Sequence, residues 1–559
     1  MDSTCRDNSP CSPLSASKKI LIKTNLSLIY PSFPSSFFIP DVATMSKKNS
    51  FFSFFIIIYI VFSLSYPKNE FSFTNSSIST RLEDSINNRI LWPSMINPTT
   101  VESGDKIDVI FQSTLENNPI NAVLSNNYVK YAIPIQETVL RENGEKVSVF
   151  KIPSNVMNSL YNLELVLDAE HRITSFNSIN VIDNDPDRID SYSFIHLTDT
   201  HFDGSEDRKK KMVQLINEIN LIHPDFAVFT GDLVDGLVSD SEGNMITAAD
   251  QFPQIVELLK GFKIPVLMVN GNHDFQTNQW QDGNALWEKY LGSLEWISRY
   301  SYRQDLYVGC SLMDENGLTE EQILGINNAF KTPSYTKVFF AHTDYQNQFS
   351  NIYEQNRVNL SLLGHEHASS SRTISGTLEV VTDNSITLIG TEPGHYRLFS
   401  VAPNKEIDSL EIEVNKLNSS TLWELKDDST ISIEIIVRNF HDFNFQNLSK
   451  EISIPGNWTS NRIVGSESHL FFNGTDTLLT TKMDVQAKTE IHYSIELTKT
   501  SSITSWNLSS FKLEQSLKES SEDRQNNRTG VSVFEIQILL IGAFILLYIQ
   551  RKLKKKKGS

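Results

Sequence analysis

Five short clusters of side chains able to hold a cation or move a proton lie between residues 199 and 367. They read Asp199-Thr-His201, Gly231-Asp232-Leu-Val-Asp235-Gly236, Gly271-Asn272-His273-Asp274, His342, and Gly364-His365-Glu-His367. Taken singly they say little. An Asp-x-His arises by chance, and Gly-Asn-His-Asp makes a good turn because Gly and Asn tolerate positive φ. Together they offer carboxylate, imidazole and amide oxygen, a mixture that suits borderline divalent metals such as Mn, Fe or Zn. Five of the chain's twelve histidines fall here, which concentrates the ligand chemistry in one region. Glycines beside the ligands let a strand turn sharply and bring its side chains into a common cleft.

The elements that must position these clusters alternate in kind. Residues 194–197 are a short apolar run, and 206–222 place Met212, Leu215, Ile216, Ile219 and Ile222 at helical spacing. An apolar run at 226–229, a helix near 248–261 and a strand-like run at 264–269 follow. Thr319-x-x-Gln322 ahead of Ile323 reads as a capping box at one more helix start. Alternating strands and helices predict an α/β layer structure over 190–400, with each cluster where a strand ends. Before it, 68–183 holds period-two runs such as 161–167, with Leu163, Leu165 and Leu167 on one face, and frequent turns, so a β-sandwich is expected. The polar, Pro-containing stretch 183–190 marks the boundary. After residue 400 the pattern is β-like again, giving a third, β-rich domain at 401–515. Three domains suit 559 residues, too many for a single core.

The set D-x-H, G-D-x-x-D, G-N-H-D, H and G-H-x-H resembles the calcineurin-like metallophosphoesterase signature, with every part present. The resemblance covers residues 192 to about 400. It implies two facing sheets flanked by helices, and two divalent cations. Asp199, His201 and His367 resemble the ligands of one metal, and Asn272, His342 and His365 those of the second. Asp232 matches the carboxylate that bridges both. His273 resembles the histidine that faces the phosphoryl group without binding metal, supported by Asp274, while Asp235 stands behind the ligands. Two cations ~3.5–4 Å apart clamp phosphoryl oxygens and bring a bridging water toward a pKa of ~7. The resulting hydroxide attacks phosphorus in line, so no serine or cysteine nucleophile is required. Purple acid phosphatases also carry a leading β domain, but read G-D-x-x-Y. Asp235 holds that position here, so a tyrosinate-bound ferric iron is not expected.

Both ends point to a membrane. Residues 51–64 are almost wholly apolar, preceded by Lys47-Lys48 and followed by small residues up to Ser65, as in a secretory signal peptide or signal anchor at 45–65. That reading makes Met45 the natural start and leaves 1–44 as a Ser/Pro-rich extension. A polar stalk at 516–530 leads to an apolar segment at 531–550, and the basic tail 551–559 places the cytosol there under the positive-inside rule. Lys556 and Lys557 resemble a dilysine retrieval signal of the endoplasmic reticulum. Sequons at Asn75, Asn418, Asn447, Asn457, Asn473, Asn507 and Asn527 fit a lumenal body, while Asn359 falls in a run that reads as a buried strand. The segment order resembles the transmembrane-protein-62-like group, although those relatives have more spans at the C-terminus. Phosphoesterases that trim ethanolamine phosphate from glycosylphosphatidylinositol anchors share the compartment.

The balance of charge, −18 overall with six cations in the last nine residues, makes the body a poor surface for a nucleic-acid backbone. No nucleic-acid partner, and so no nuclease, is expected. Three cysteines cannot build a disulfide framework, and Cys310 reads as a small buried hydrophobe. The expected fold is multidomain: a central α/β metallophosphoesterase sandwich between two β-sandwich domains, with one C-terminal transmembrane helix. The expected function is a membrane-anchored lumenal phosphoesterase acting on a phosphorylated small molecule, lipid or glycan. The alternative is a catalytically inactive metal-binding adhesion protein, against which the complete ligand set speaks.

Overall fold

The strand Tyr192–Leu197 needs no polar alternation, because both of its faces are covered. In the computed structural model the described residues are 88–500, apart from 116–117, 183–190, 240–242, 244, 276–282, 293–295, 313–316, 387–392, 428 and 465–466. They all fall in one compact unit. The expected signal segment, stalk, membrane helix and basic tail lie outside them. Among the described residues no helix is long and apolar enough to cross a membrane.

Tyr192–Leu197 is the middle strand of a five-stranded sheet ordered Val266–Met268, Phe226–Phe229, Tyr192–Leu197, His395–Val401, Ile407–Glu413. The first three strands run parallel and the last two antiparallel. A six-stranded sheet, ordered Ile297–Tyr302, Asp305–Cys310, Lys337–Ala341, Leu360–Leu363, Thr377–Val381, Ser370–Ile374, faces it. Between them Phe194 stacks on Phe226 and Phe399, with ring centroids 5.3 and 4.8 Å away. Helix Glu206–Ile222 covers the outer face of the first sheet with Met212, Leu215 and Ile219, and Ser205 caps it by accepting from the Arg208 amide. Helices Glu320–Ala329 and Gln346–Asn356 cover the second sheet, and the capping box at Thr319 and Gln322 is present.

The first sheet does not stop at residue 400 as expected. Ile407–Glu413 pairs with His395–Val401 along its whole length, and Ile412 joins Tyr396 in the core beneath helix Glu206–Ile222. The α/β layer therefore closes at Glu413.

Ahead of the α/β layer, eight strands form one sheet folded around a single core. Strand Lys130–Leu140 makes the fold possible. Its residues 130–134 pair with Asn121–Ser125, and after a register shift its last residues pair with Lys146–Lys151. Leu163, Leu165 and Leu167 lie buried on one face, as their spacing required. Behind the α/β layer, a four-stranded and a three-stranded sheet form a second sandwich. Its core is continuous with that under helix Glu206–Ile222.

Both sandwiches are tied to the central layer by backbone and buried polar groups. The Met268 amide donates to the Ile96 carbonyl at 2.9 Å, so the first sandwich is bonded to the edge strand of the central sheet. Glu218 is buried at the junction with the second, accepting from the Tyr396 hydroxyl (3.0 Å) and the Asn415 amide (2.7 Å). Replacing Glu218 by Ala strands both donors, and each stranded buried donor costs ~1–3 kcal/mol. We expect Glu218→Ala to lose about 3 kcal/mol in a denaturant titration.

Asn473 donates one side-chain N–H to the Tyr128 carbonyl at 2.6 Å. Asn447 is exposed, and Asn359 is exposed at the mouth of the buried strand Leu360–Leu363. Cys310 is buried at the end of its strand, and burial pushes its thiol up to about 12. Trp287 is fully buried against Phe252 and packs the core, while Trp280 lies outside the described residues.

Candidate metal centre

Each cluster sits just past the carboxyl end of a parallel strand. Asp199 and His201 follow Tyr192–Leu197, Asp232 follows Phe226–Phe229, and Asn272 and His273 follow Val266–Met268. From the other sheet, His342 follows Lys337–Ala341, and His365 and His367 follow Leu360–Leu363. Asp199, His201, Asp232, His365 and His367 all hold left-handed backbone, with φ between 41° and 73°. Such conformations are costly for non-glycine residues and persist where the surroundings over-determine them. The turns are stitched together: the Asp199 amide donates to the Gly231 carbonyl and the His201 amide to the Asp232 carbonyl, each at 3.0 Å. Gly364 is there for close approach. A methyl on it would meet the Thr198 hydroxyl and lie 2.7 Å from an Asp199 carboxylate oxygen.

The expected ligands converge. His201 Nε2 lies 3.0 Å from His367 Nε2, and Asp199 Oδ1 is 3.6 and 3.3 Å from those two nitrogens. Asp232 Oδ2 lies 3.2 Å from His342 Nε2 and 3.6 Å from His201 Nε2. Asn272 Oδ1 is 2.9 Å from His342 Nε2. Ligand atoms of Asp232, His342 and His365 also group within 4.8 Å. The hydrogen bonds that orient these side chains come from behind. His342 Nδ1 donates to the Thr230 carbonyl at 2.7 Å, which turns Nε2 toward the site. Asp199 Oδ2 accepts from the Thr198 hydroxyl (2.6 Å) and the His365 amide (2.9 Å).

Two observations make the residues fit a metal. Asp199 Oδ1 and Asp232 Oδ2 are buried carboxylate oxygens that no hydrogen bond of good geometry satisfies, faced by imidazole nitrogens at 3.2–3.6 Å, an arrangement that a cation would complete. Around them stand imidazole nitrogens within reach of one ion, His201 Nε2 and His367 Nε2 being 3.0 Å apart. Burial alone would lower His201, but Asp199, Asp235 and Asp232 push it up to about 10. For His342 burial again lowers, and Asp232 and Asp199 push it up to about 9. The cation-free site thus keeps protons on both rings at neutral pH, and these pairings stabilise the fold until pH rises through about 9 to 10. A metal must displace those protons. Uptake should release protons at about pH 7, and apparent affinity should rise about tenfold per pH unit for each proton displaced. Calorimetry of Mn²⁺ binding in buffers of different ionisation enthalpy reads the number directly.

One expectation is corrected. Asp274 does not support the His273 ring. Its carboxylate is fully buried and accepts from the amides of Gly271 (2.9 Å), Leu233 (3.0 Å) and Val234 (3.1 Å). Three converging amides outcompete one neighbouring imidazole. Burial and the nearby Asp232 still push it up to about 6. The partner of His273 Nδ1 is instead the Asp235 carbonyl at 2.9 Å, with Asp235 Oδ1 3.6 Å from it. Asp235 Oδ1 is also 3.6 Å from His201 Nδ1, so this residue stands behind two rings. The sequence reading missed Thr198, Thr230 and Ser385, whose hydroxyl accepts from the Thr198 amide at 2.9 Å. Thr198 and Thr230 directly precede Asp199 and Gly231, and that adjacency was the available signal. It also missed His196, buried between the hydroxyls of Thr230 and Thr382 at 2.8 Å each.

Residues 192–369 match the family described as calcineurin-like phosphoesterase. No curated protein matches the chain at a significant level. Similar solved structures include a conserved Streptococcus pneumoniae protein described as a predicted phosphoesterase, 14% identical over 40% of this chain and 98% of that one, with a TM-score of 0.20. An archaeal phosphodiesterase is 9% identical over 39% and 99%, with a TM-score of 0.25. The phosphopantetheinyl hydrolase of Mycobacterium tuberculosis is 11% identical over 34% and 89%, with a TM-score of 0.22. The family match identifies the domain and not a subgroup within it. The chain therefore carries, at residues 192–369, a domain of the calcineurin-like phosphoesterase family, the metal-dependent hydrolases of phosphoric esters.

Proposed function

We propose that this centre holds two divalent cations (Mn, Fe or Zn) and hydrolyses a phosphoric ester in a membrane-anchored protein whose body lies in the lumen of the secretory pathway. Asp199, His201 and His367 would hold one ion, Asn272, His342 and His365 the other, with Asp232 between them. The observation that carries the reading is the pair of buried oxygens of Asp199 and Asp232 that no well-formed hydrogen bond satisfies, ringed by imidazoles on strained turns. When bound, such ions supply an activated water and neutralise charge on the phosphoryl oxygens. His273 is the proton carrier this chain provides. Its Nδ1 is committed to the Asp235 carbonyl, so Nε2 is the atom that can give a proton to the leaving oxygen. The membrane part of the proposal rests on the apolar 531–550 segment and the cations after it.

The test is hydrolysis of p-nitrophenyl phosphate and bis-p-nitrophenyl phosphate by the detergent-solubilised full chain, with metals stripped and then restored. Turnover that appears only with Mn²⁺, Fe²⁺ or Zn²⁺ supports the proposal, and the ratio of the two rates separates monoester from diester preference. A protein that binds no metal would overturn it and return the binding-protein reading.

A further inference from the structure

We propose that Gln251 is a positioning residue for the hydrolytic step, setting the His273 ring through the turn at Asp235-Gly236. The proposal rests on the phosphoesterase reading above. Gln251 is fully buried on helix Ala248–Leu259, on a side it shares with Ala248, Phe252 and Ile255, all buried. A primary amide in such a layer is costly unless its polar atoms are bonded. Here they are bonded, and all to one turn. Oε1 accepts from the Asp235 amide (3.2 Å) and the Gly236 amide (3.1 Å), and Nε2 donates to the Gly236 carbonyl (2.8 Å). The carbonyl of Asp235, held from both sides by these bonds, is the acceptor for His273 Nδ1.

The helix that carries Gln251 is itself anchored immediately upstream. Thr247 and Asp250 form a capping box, with the Thr247 amide donating to Asp250 at 2.9 Å. The helix is thus fixed at its first turn, and the Gln251 amide is fixed by its three bonds to the turn that holds the ring. What the ring does is simple in its balance. Water adds to phosphorus and releases one proton to solvent, the bond from phosphorus to the leaving oxygen breaks, and the proton on His273 Nε2 passes to that oxygen. His273 then regains a proton from solvent. A proton donor displaced by about 1 Å loses on the order of 10²-fold. That loss should fall hardest on esters whose leaving group needs the proton most.

Gln251→Glu keeps the shape and both acceptor contacts but sets an oxygen against the Gly236 carbonyl, and Gln251→Leu removes all three bonds. Both should be compared with wild type on phenyl phosphate, a poor leaving group, and p-nitrophenyl phosphate, a good one. We expect unchanged metal content, KM within about threefold, and kcat for phenyl phosphate down about 10–100-fold, with a smaller loss on the nitrophenyl ester. A readout independent of turnover uses ¹⁵N-histidine labelling of the metal-free chain. The Nδ1–H resonance of His273, assigned with His273→Asn, should shift in Gln251→Glu while that of His342 stays. Equal losses on both esters, a fall in metal content, or an unmoved resonance would reduce Gln251 to packing and overturn the proposal. Wild-type protein silent on both esters would instead sink the phosphoesterase reading and this proposal with it. If Gln251→Leu fails to fold, Gln251→Glu decides.

Discussion

Asp232→Asn should cut turnover about 10³-fold or more and leave the melting temperature within a few degrees. One carboxylate oxygen, Oδ1, accepts from the His273 amide at 2.8 Å, and an amide oxygen can keep that bond. The other, Oδ2, makes no hydrogen bond of good geometry and lies 3.2 Å from His342 Nε2 and 3.6 Å from His201 Nε2. The substitution puts an NH₂ there, which offers a cation no lone pair and removes a full negative charge from between the two proposed ion positions. A factor of about 10³ corresponds to ~4 kcal/mol, within the several kcal/mol that Lewis-acid charge stabilisation supplies.

The fold should tolerate the change because opposing effects nearly cancel. Asp232 attracts the imidazoles of His201 and His342, but it also sits among like charges, being one cause of the raised Asp274 and coupled unfavourably to Asp199. Losing it forfeits the first and relieves the second. The measurement is kcat/KM on bis-p-nitrophenyl phosphate beside a thermal melt of the metal-free chain. Wild-type turnover in the Asp232→Asn variant would remove this carboxylate from the metal centre altogether.

What could be read from the chain depended on whether the signal was local. The ligand clusters were legible because metal chemistry restricts residue type, and glycine must stand where a ligand turn approaches another backbone. Helix Glu206–Ile222 was legible because its buried side chains repeat at helical spacing. The end of the central sheet was not. Ile407–Glu413 resembles the strands that follow it, and only its pairing with His395–Val401 assigns it to the α/β layer. The Asp274 assignment failed for a related reason. Adjacency to His273 suggested a side-chain pair, while three amides brought together by the fold took the carboxylate. Thr230 acts through its main-chain carbonyl, which carries no mark of residue type. Gln251 did carry a mark, a buried amide among Ala248, Phe252 and Ile255, but the turn it grips lies fifteen residues away in sequence.

Gly271→Ala should be nearly as damaging as losing Asp232, through packing rather than charge. A methyl built on Gly271 collides with Asp232 Oδ1 and the Asp232 amide, and comes within 2.8 Å of the carboxylate carbon. The carboxylate cannot step aside cheaply. Its Oδ1 is bonded to the His273 amide, and Asp274 grips the Gly271, Leu233 and Val234 amides on either side. Either Asp232 moves, or the Gly271-Asn272-His273 turn moves and takes a ligand and the proton carrier with it. A shift of about 1 Å at such a centre costs on the order of 10²-fold in rate. The comparison is Gly376→Ala, where φ is +84° and nothing lies within 4 Å of the added carbon. That variant bears only left-handed strain, of order ~1 kcal/mol, in the turn between strands Ser370–Ile374 and Thr377–Val381. We therefore expect Gly376→Ala to melt slightly lower with full metal content and turnover, and Gly271→Ala to lose metal at dialysis and at least about 10²-fold in kcat/KM. If both variants lost activity in step with their melting temperatures, global stability would explain the losses, and close approach at Gly271 would have no special part in building the site.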